Sequence, residues 1–132
     1  MANPDLVIDT SIIIDHLRKR NKRKSILFQI ADTYALYVPA VVEFELFAGA
    51  TDEEKLRDVK NILQSCTSIP MTSEVAQEAG LLYRKLKQDN QLIEIRDLLI
   101  ASTAGVHGIP LMTLNTKHFQ RIDALNLIAP PA

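Results

Sequence analysis

Short apolar runs alternate along the chain with longer stretches in which apolar residues recur every three or four positions. Runs of the first kind read as strands and stretches of the second as helices. Leu-Val-Ile over 6–8, between Asp5 and Asp9, predicts a buried strand. Thr10 or Ser11 is placed to cap a following helix, whose Ile12, Ile13, Ile14 and Leu17 form a broad apolar face. A short amphipathic helix over 25–31 leads to a second strand over 35–38, ended by Pro39. Pro39 suits the first turn of a helix carrying 41–49, V-V-E-F-E-L-F-A-G. Thr51-Asp52-Glu53-Glu54 has the form of a capping box and opens a helix through Gln64. A third strand is expected over 66–69. A long helix follows from Thr72 or Ser73 to about Asp89, with Val75, Ala79, Leu82 and Leu86 as its core stripe. Residues 90–95 connect to 97–106, D-L-L-I-A-S-T-A-G-V, a helix with no polar face. Gly108-Ile109-Pro110 ends it. A fourth strand over 111–113, a loop entering a short helix over 114–119 and a last short strand over 127–128 complete the pattern. Strands alternating with helices predict the α/β class. The expected architecture is a single domain over 1–132, a three-layer α/β/α sandwich around a mainly parallel twisted sheet.

Three carboxylates interrupt this pattern. Asp97 stands in the first turn of a helix whose next nine residues carry no charge. An unpaired carboxylate buried there costs several kcal/mol or is protonated. The helix N-terminus offsets only about 0.3–1 kcal/mol of that, up to roughly 2 when partly buried. Asp9 ends the first strand, where a cap or turn role is the plainer alternative. Glu45 shares an apolar-to-small face with Val41, Ala48 and Gly49, whereas Glu43 projects elsewhere, toward solvent. In a parallel sheet the ends of strands one and four open on the same edge, where such folds keep their ligand crevices. Asp9, Glu45 and Asp97 are thereby expected to meet in one cleft, with Thr113 and Asn115 after the fourth strand. At an effective dielectric near 20, each pair of carboxylates about 4 Å apart repels by roughly 4 kcal/mol. No Lys or Arg lies inside the three apolar stretches to neutralise them. Oxygen ligands without His or Cys favour Mg2+ or Mn2+ over zinc. Such ions are the usual apparatus for in-line attack of water on a phosphodiester.

Composition changes this picture little. A chain of 132 residues, 47% hydrophobic and 23% charged, suits a globular domain with a real core. A net charge of −1 sets up no global field for nucleic acid, so binding would need a local patch. Residues 18–24, R-K-R-N-K-R-K, supply one. A solvated helix end is the preferred reading of that run. The single cysteine, Cys66, excludes an internal disulfide framework and a cysteine zinc site, and reads as a small buried hydrophobe. His16 and His107 read as surface or helix-end residues. His118 lies near the expected cleft, within reach of a phosphate, although a bland role is preferred. Signatures for a P-loop, a dinucleotide fold and a hydrolase elbow are missing. The N-terminus lacks the features of a signal peptide, and no apolar run approaches the roughly 20 residues that span a bilayer. A cytoplasmic protein without a membrane partner is expected.

Taken together, V-I-D-T-S-I-I-I-D, E-L-F-A-G, D-L-L-I-A-S-T-A and T-L-N-T-K-H-F, in that order, resemble the PIN domain. In particular the chain resembles the VapC toxins of toxin–antitoxin pairs, over essentially its whole length. The resemblance implies an α/β/α sandwich and an Mg2+- or Mn2+-dependent endoribonuclease acting on RNA. It also implies a VapB-like antitoxin partner, whose tail enters the cleft, and a homodimer. Asp9, Glu45 and Asp97 match the family's acidic positions. The fourth position, often Asp, is Asn115 here, which bears on whether a second ion is held. Thr10, Ser11 and Thr113 match polar positions that order the site. Glu94 matches a possible auxiliary acid, with solvent exposure as its plainer role. The alternative is a catalytically silent PIN domain that binds RNA or a protein. A receiver-type signalling module fits poorly, because the acid spacing is wrong for it.

Overall fold

The computed structural model describes residues 2–132. Four strands, β1 (Asp5–Ile8), β2 (Ala35–Pro39), β3 (Thr67–Ile69) and β4 (Leu111–Met112), form a sheet in the order β3-β2-β1-β4. Each neighbouring pair is parallel. The helices are α1 (Thr10–Arg18), α2 (Ile26–Ile30), α3 (Ala40–Gly49), α4 (Glu53–Gln64), α5 (Ser73–Gln88), α6 (Ile95–His107) and α7 (Thr116–Phe119). Right-handed crossovers put the helices between β1 and β3 on one face of the sheet and α5 and α6 on the other. That is the expected α/β/α sandwich.

Covering both faces explains why β1 is a continuous apolar run rather than an alternating one. Leu6, Val7 and Ile8 are all fully buried, and Ile12, Ile13, Val38, Val42, Leu111 and Phe119 pack around them. The core stripe of α5 holds at Val75, Ala79 and Leu86, while Leu82 is half-buried. Helix α6 is buried at Leu98 and continuously from Ile100 to Ala104. It stops at Gly108, whose φ of 64° is the left-handed geometry that glycine adopts without steric cost.

Several expected boundaries shift for identifiable reasons. Helix α1 is capped by Asp9, not by Thr10 or Ser11, because the Asp9 side chain reaches the Ser11 N–H. Asp52 rather than Thr51 caps α4, through the Lys55 N–H. The third strand starts at Thr67, since the Cys66 N–H still bonds back to Leu63. At 127–128 there is only a single bridge: the Leu111 N–H donates to the Asn126 carbonyl, and the Ile128 N–H donates to the Leu111 carbonyl. The basic run is a solvated helix end, as preferred. Lys22 Nζ donates to the His16 and Leu17 carbonyls (2.7 and 2.8 Å) and closes the C-terminus of α1. Among the described residues no helix is long and apolar enough to cross a membrane.

Candidate active site

The chain moves outward from β1 to β2 and β3, then returns across the sheet to β4. Strand order therefore reverses between β1 and β4, the place where open α/β sheets form a crevice. Ile8 lies level with Met112, so Asp9 and Thr113 leave the sheet side by side. Asp9 is 3% exposed. Its Oδ1 accepts from the Ser11 N–H (3.1 Å) and the Ser11 hydroxyl (2.5 Å), and its Oδ2 accepts from the Thr113 hydroxyl (2.5 Å). Those two hydroxyls are themselves held. Ser11 Oγ accepts from Leu114 N–H, and Thr113 Oγ1 from Asn115 N–H, both at 3.0 Å. Burial pushes the Asp9 carboxyl above its ordinary value, and the donors around it only partly offset this.

Asp97 is equally sheltered, at 5% exposure, in the first turn of α6. Its Oδ2 lies 3.0 Å from His118 Nδ1, delivered by α7, and its Oδ1 lies 4.0 Å from Arg96 Nε. An ionised carboxylate only accepts, so that imidazole nitrogen carries the hydrogen. Burial raises the Asp97 carboxyl too, against the pull of His118 and Arg96. Glu45 is half-buried rather than set on a core-facing stripe. The core face of α3 is Val42 and Leu46, whereas Ala48 and Gly49 beside Glu45 are exposed. Glu45 Oε1 accepts from the Thr10 hydroxyl (2.8 Å) and Oε2 from Arg96 Nη1 (2.9 Å). Glu94 is exposed and pairs with Arg96 Nε at 3.1 Å. Asn115 is exposed at the start of α7, and its side chain makes no capping bond.

These contacts make two networks. Asp9, Ser11 and Thr113 form one, and Glu45, Arg96, Glu94, Asp97 and His118 form the other. The adjacent Thr10, bonded to Glu45, joins them. Arg96 has no counterpart in the sequence reading, which sets His118 near the cleft but not against Asp97. The only signal for Arg96 was its place one residue before Asp97, just outside the uncharged stretch. His118 meets Asp97 only because the end of β4 sets where α7 starts. Burial pulls the Arg96 guanidinium down, but Glu45 and Glu94 outweigh this and hold it above its ordinary value. The other two histidines are bland. His107 is exposed at the end of α6, and His16 Nδ1 lies 2.6 Å from the buried Ser25 hydroxyl. Cys66 is half-buried, and burial pushes its thiol up to about 11, so it is a poor nucleophile.

The donor chemistry suits a hard divalent cation, since every acidic ligand offered is a carboxylate oxygen. A cation already stands among them, the guanidinium shared by Glu45 and Asp97. Among the described residues, no three His, Cys, Asp or Glu side chains are gathered around one point. Beside Asp97 an open cavity of about 400 Å3 is lined by Leu92, Ile93, Glu94, His118 and Arg121.

Comparison with known proteins agrees with this fold. The family model for the PIN domain matches residues 6–125. The chain is 31% identical over 120 residues to Ribonuclease VapC10 of Mycobacterium tuberculosis, covering 91% of this chain and 90% of that protein. It is 32% identical over 123 residues to Ribonuclease VapC1 of Methanocaldococcus jannaschii, covering 92% and 84%. Its fold superposes on a VapBC-1 structure from nontypeable Haemophilus influenzae with a TM-score of 0.81 and 25% identity, over 94% of this chain and 96% of that one. The chain is therefore a PIN domain and belongs to the VapC group of that family.

Proposed function

We propose that the protein is a divalent-metal-dependent endoribonuclease, the toxin of a toxin–antitoxin pair, which hydrolyses RNA phosphodiester bonds. The observation that carries this reading is the pair of buried carboxylates, Asp9 and Asp97, each surrounded by donors at the sheet's crevice. Names of relatives at 31–32% identity, each a ribonuclease, support the same reading.

In this reading Asp9, Glu45 and Asp97 hold Mg2+ or Mn2+. When bound, the ion supplies activated water and stabilises the charge that develops on the phosphate oxygens. The chain supplies preorganisation. Ser11 and Thr113 fix both oxygens of Asp9, Thr10 orients Glu45, and His118 orients Asp97. Asn115, exposed at the mouth, accepts from water with less charge than an acid would bring. Attack by water leaves a 5′-phosphate and a 3′-hydroxyl and needs no 2′-hydroxyl, so RNA is preferred on family grounds alone. A VapB-like antitoxin is the proposed protein partner. Phe44 and Ile95, chain neighbours of Glu45 and Arg96, are 69% and 64% exposed and offer apolar surface to such a partner. A homodimer and a cytoplasmic setting complete the proposal.

The test is cleavage of a mixed RNA pool with Mg2+ or Mn2+, by the wild type and by Asp97→Asn. The wild type is expected to cut only with metal, and Asp97→Asn to lose at least about a hundredfold in rate, the scale of removing one preorganised electrostatic group. Equal cutting by both, or cutting in EDTA, would overturn the assignment. No cutting by either, with RNA still bound, would favour the silent PIN domain.

A further inference from the structure

Arg96 stands among three carboxylates. One guanidinium touches Glu45 at 2.9 Å and Glu94 at 3.1 Å, and stands 4.0 Å from Asp97. Its side chain is half exposed, whereas those of Glu45 and Asp97 are 17% and 7% exposed. It therefore reaches inward from the rim to two sheltered acids. Arginine stays charged at every working pH, so protonation cannot remove it. It also cannot diffuse away, because its backbone is joined to that of Asp97.

A divalent ion held by Glu45 and Asp97 needs carboxylate oxygens at about 2.0–2.1 Å for Mg2+. The bond from Arg96 Nη1 occupies Glu45 Oε2, one of the two oxygens such an ion could take, while Thr10 holds the other. The guanidinium and the ion would repel at close range in a site of reduced dielectric. The two cations are thus alternatives for the same carboxylates. Glu94 adds the second half of the arrangement. It is exposed at the rim and bonded to Nε, leaving Arg96 a partner after Glu45 is taken.

We propose that Arg96 is a tethered counter-cation that neutralises Glu45 and Asp97 in the metal-free protein and is displaced when a divalent ion enters. The inference rests on the metal-dependent reading above. Displacement of Arg96 is then part of every binding event. Arg96 sets the ion concentration at which the cleft fills. It also keeps the empty cleft from carrying unscreened like charges.

Mn2+ binding to the full chain tests this, with free Mn2+ counted by electron paramagnetic resonance for the wild type, Arg96→Gln and Arg96→Lys. Arg96→Gln is expected to bind Mn2+ about fivefold tighter, the scale of losing one partly exposed ion pair as a competitor. Arg96→Lys, which keeps the charge but not the fork, is expected to fall between. Metal-free Arg96→Gln is expected to melt below the wild type, and the gap to narrow in saturating Mn2+. The melting curves also report whether each variant is folded. Unchanged or weaker Mn2+ binding by folded Arg96→Gln would overturn the proposal, since Arg96 would then be positioning Glu45 rather than competing for it. Absence of Mn2+ binding by both proteins would overturn it as well. RNA cleavage separates the two readings. A wild type that cuts while Arg96→Gln binds Mn2+ no tighter sinks only this inference. Tighter binding by Arg96→Gln without cutting by the wild type sinks only the nuclease.

Discussion

Burial and charge conflict most directly at Asp9. Its carboxyl is almost sealed from solvent, and its ordinary value of 3.8 is raised because desolvation outweighs the Ser11 and Thr113 hydrogen bonds. An acid raised on folding contributes most to stability below its unfolded value. That contribution falls as pH rises through the folded value. Asp9→Asn keeps the shape and leaves the Thr113 hydroxyl free to accept from the new amide. Metal-free Asp9→Asn is therefore expected to be more stable than the wild type at neutral pH. The difference should shrink as pH drops toward the unfolded value. Denaturant midpoints at neutral and acid pH read both, and a destabilised variant at neutral pH would refute the account. The same substitution should abolish cleavage. Asp9 and Asp97 were legible in the sequence as charges where a core belonged. Arg96, and the pairing of His118 with Asp97, were not, because a partner that arrives through space leaves no periodic signal.

Among the elements, α6 carries the most weight. Its uncharged stretch after Asp97 announced burial, and the structure buries Leu98 and the run from Ile100 to Ala104. The true start at Ile95 lies two residues earlier, so Arg96 and Asp97 share the first turn and point to the same cleft. Burial all round makes the helix a stiff post for that carboxylate. One member is imperfect: the buried Ser102 hydroxyl has no hydrogen-bond partner. Ser102→Ala removes an unsatisfied group and adds helix propensity. It is expected to stabilise the fold by about 1 kcal/mol and leave cleavage unchanged. A lowered melting temperature would show that the hydroxyl is used. Helix α1 teaches the converse lesson. Thr10 and Ser11 are the expected caps, but Asp9 takes the position, so one carboxylate serves as both cap and candidate ligand.

For the whole molecule, the decisive fact is the order β3-β2-β1-β4. It sets the end of β1 beside the end of β4 and leaves the crevice between them. Asp9 at the cap of α1, Glu45 of α3 and Asp97 of α6 come from segments far apart in the chain. An ion bridging such remote segments binds the folded chain and not the unfolded one. Mn2+ at a hundred times its dissociation constant is expected to stabilise by about 2.7 kcal/mol. That is a rise of several degrees in melting temperature for a domain of this size. Asp97→Asn should show a clearly smaller rise. Calorimetry in Mn2+ and in EDTA checks it, and no shift for the wild type would argue against a competent site.

Strand and helix positions, the α/β class, the parallel sheet and the misplaced carboxylates all follow from local patterns, because apolar periodicity and burial of charge act on neighbours in the chain. Which strand lies beside which, which hydroxyls hold Asp9, and that Arg96 already stands between Glu45 and Asp97 are products of packing. They join residues as far apart as Asp9 and Thr113, or Glu45 and Arg96, and only closure of the fold brings such groups within hydrogen-bond distance.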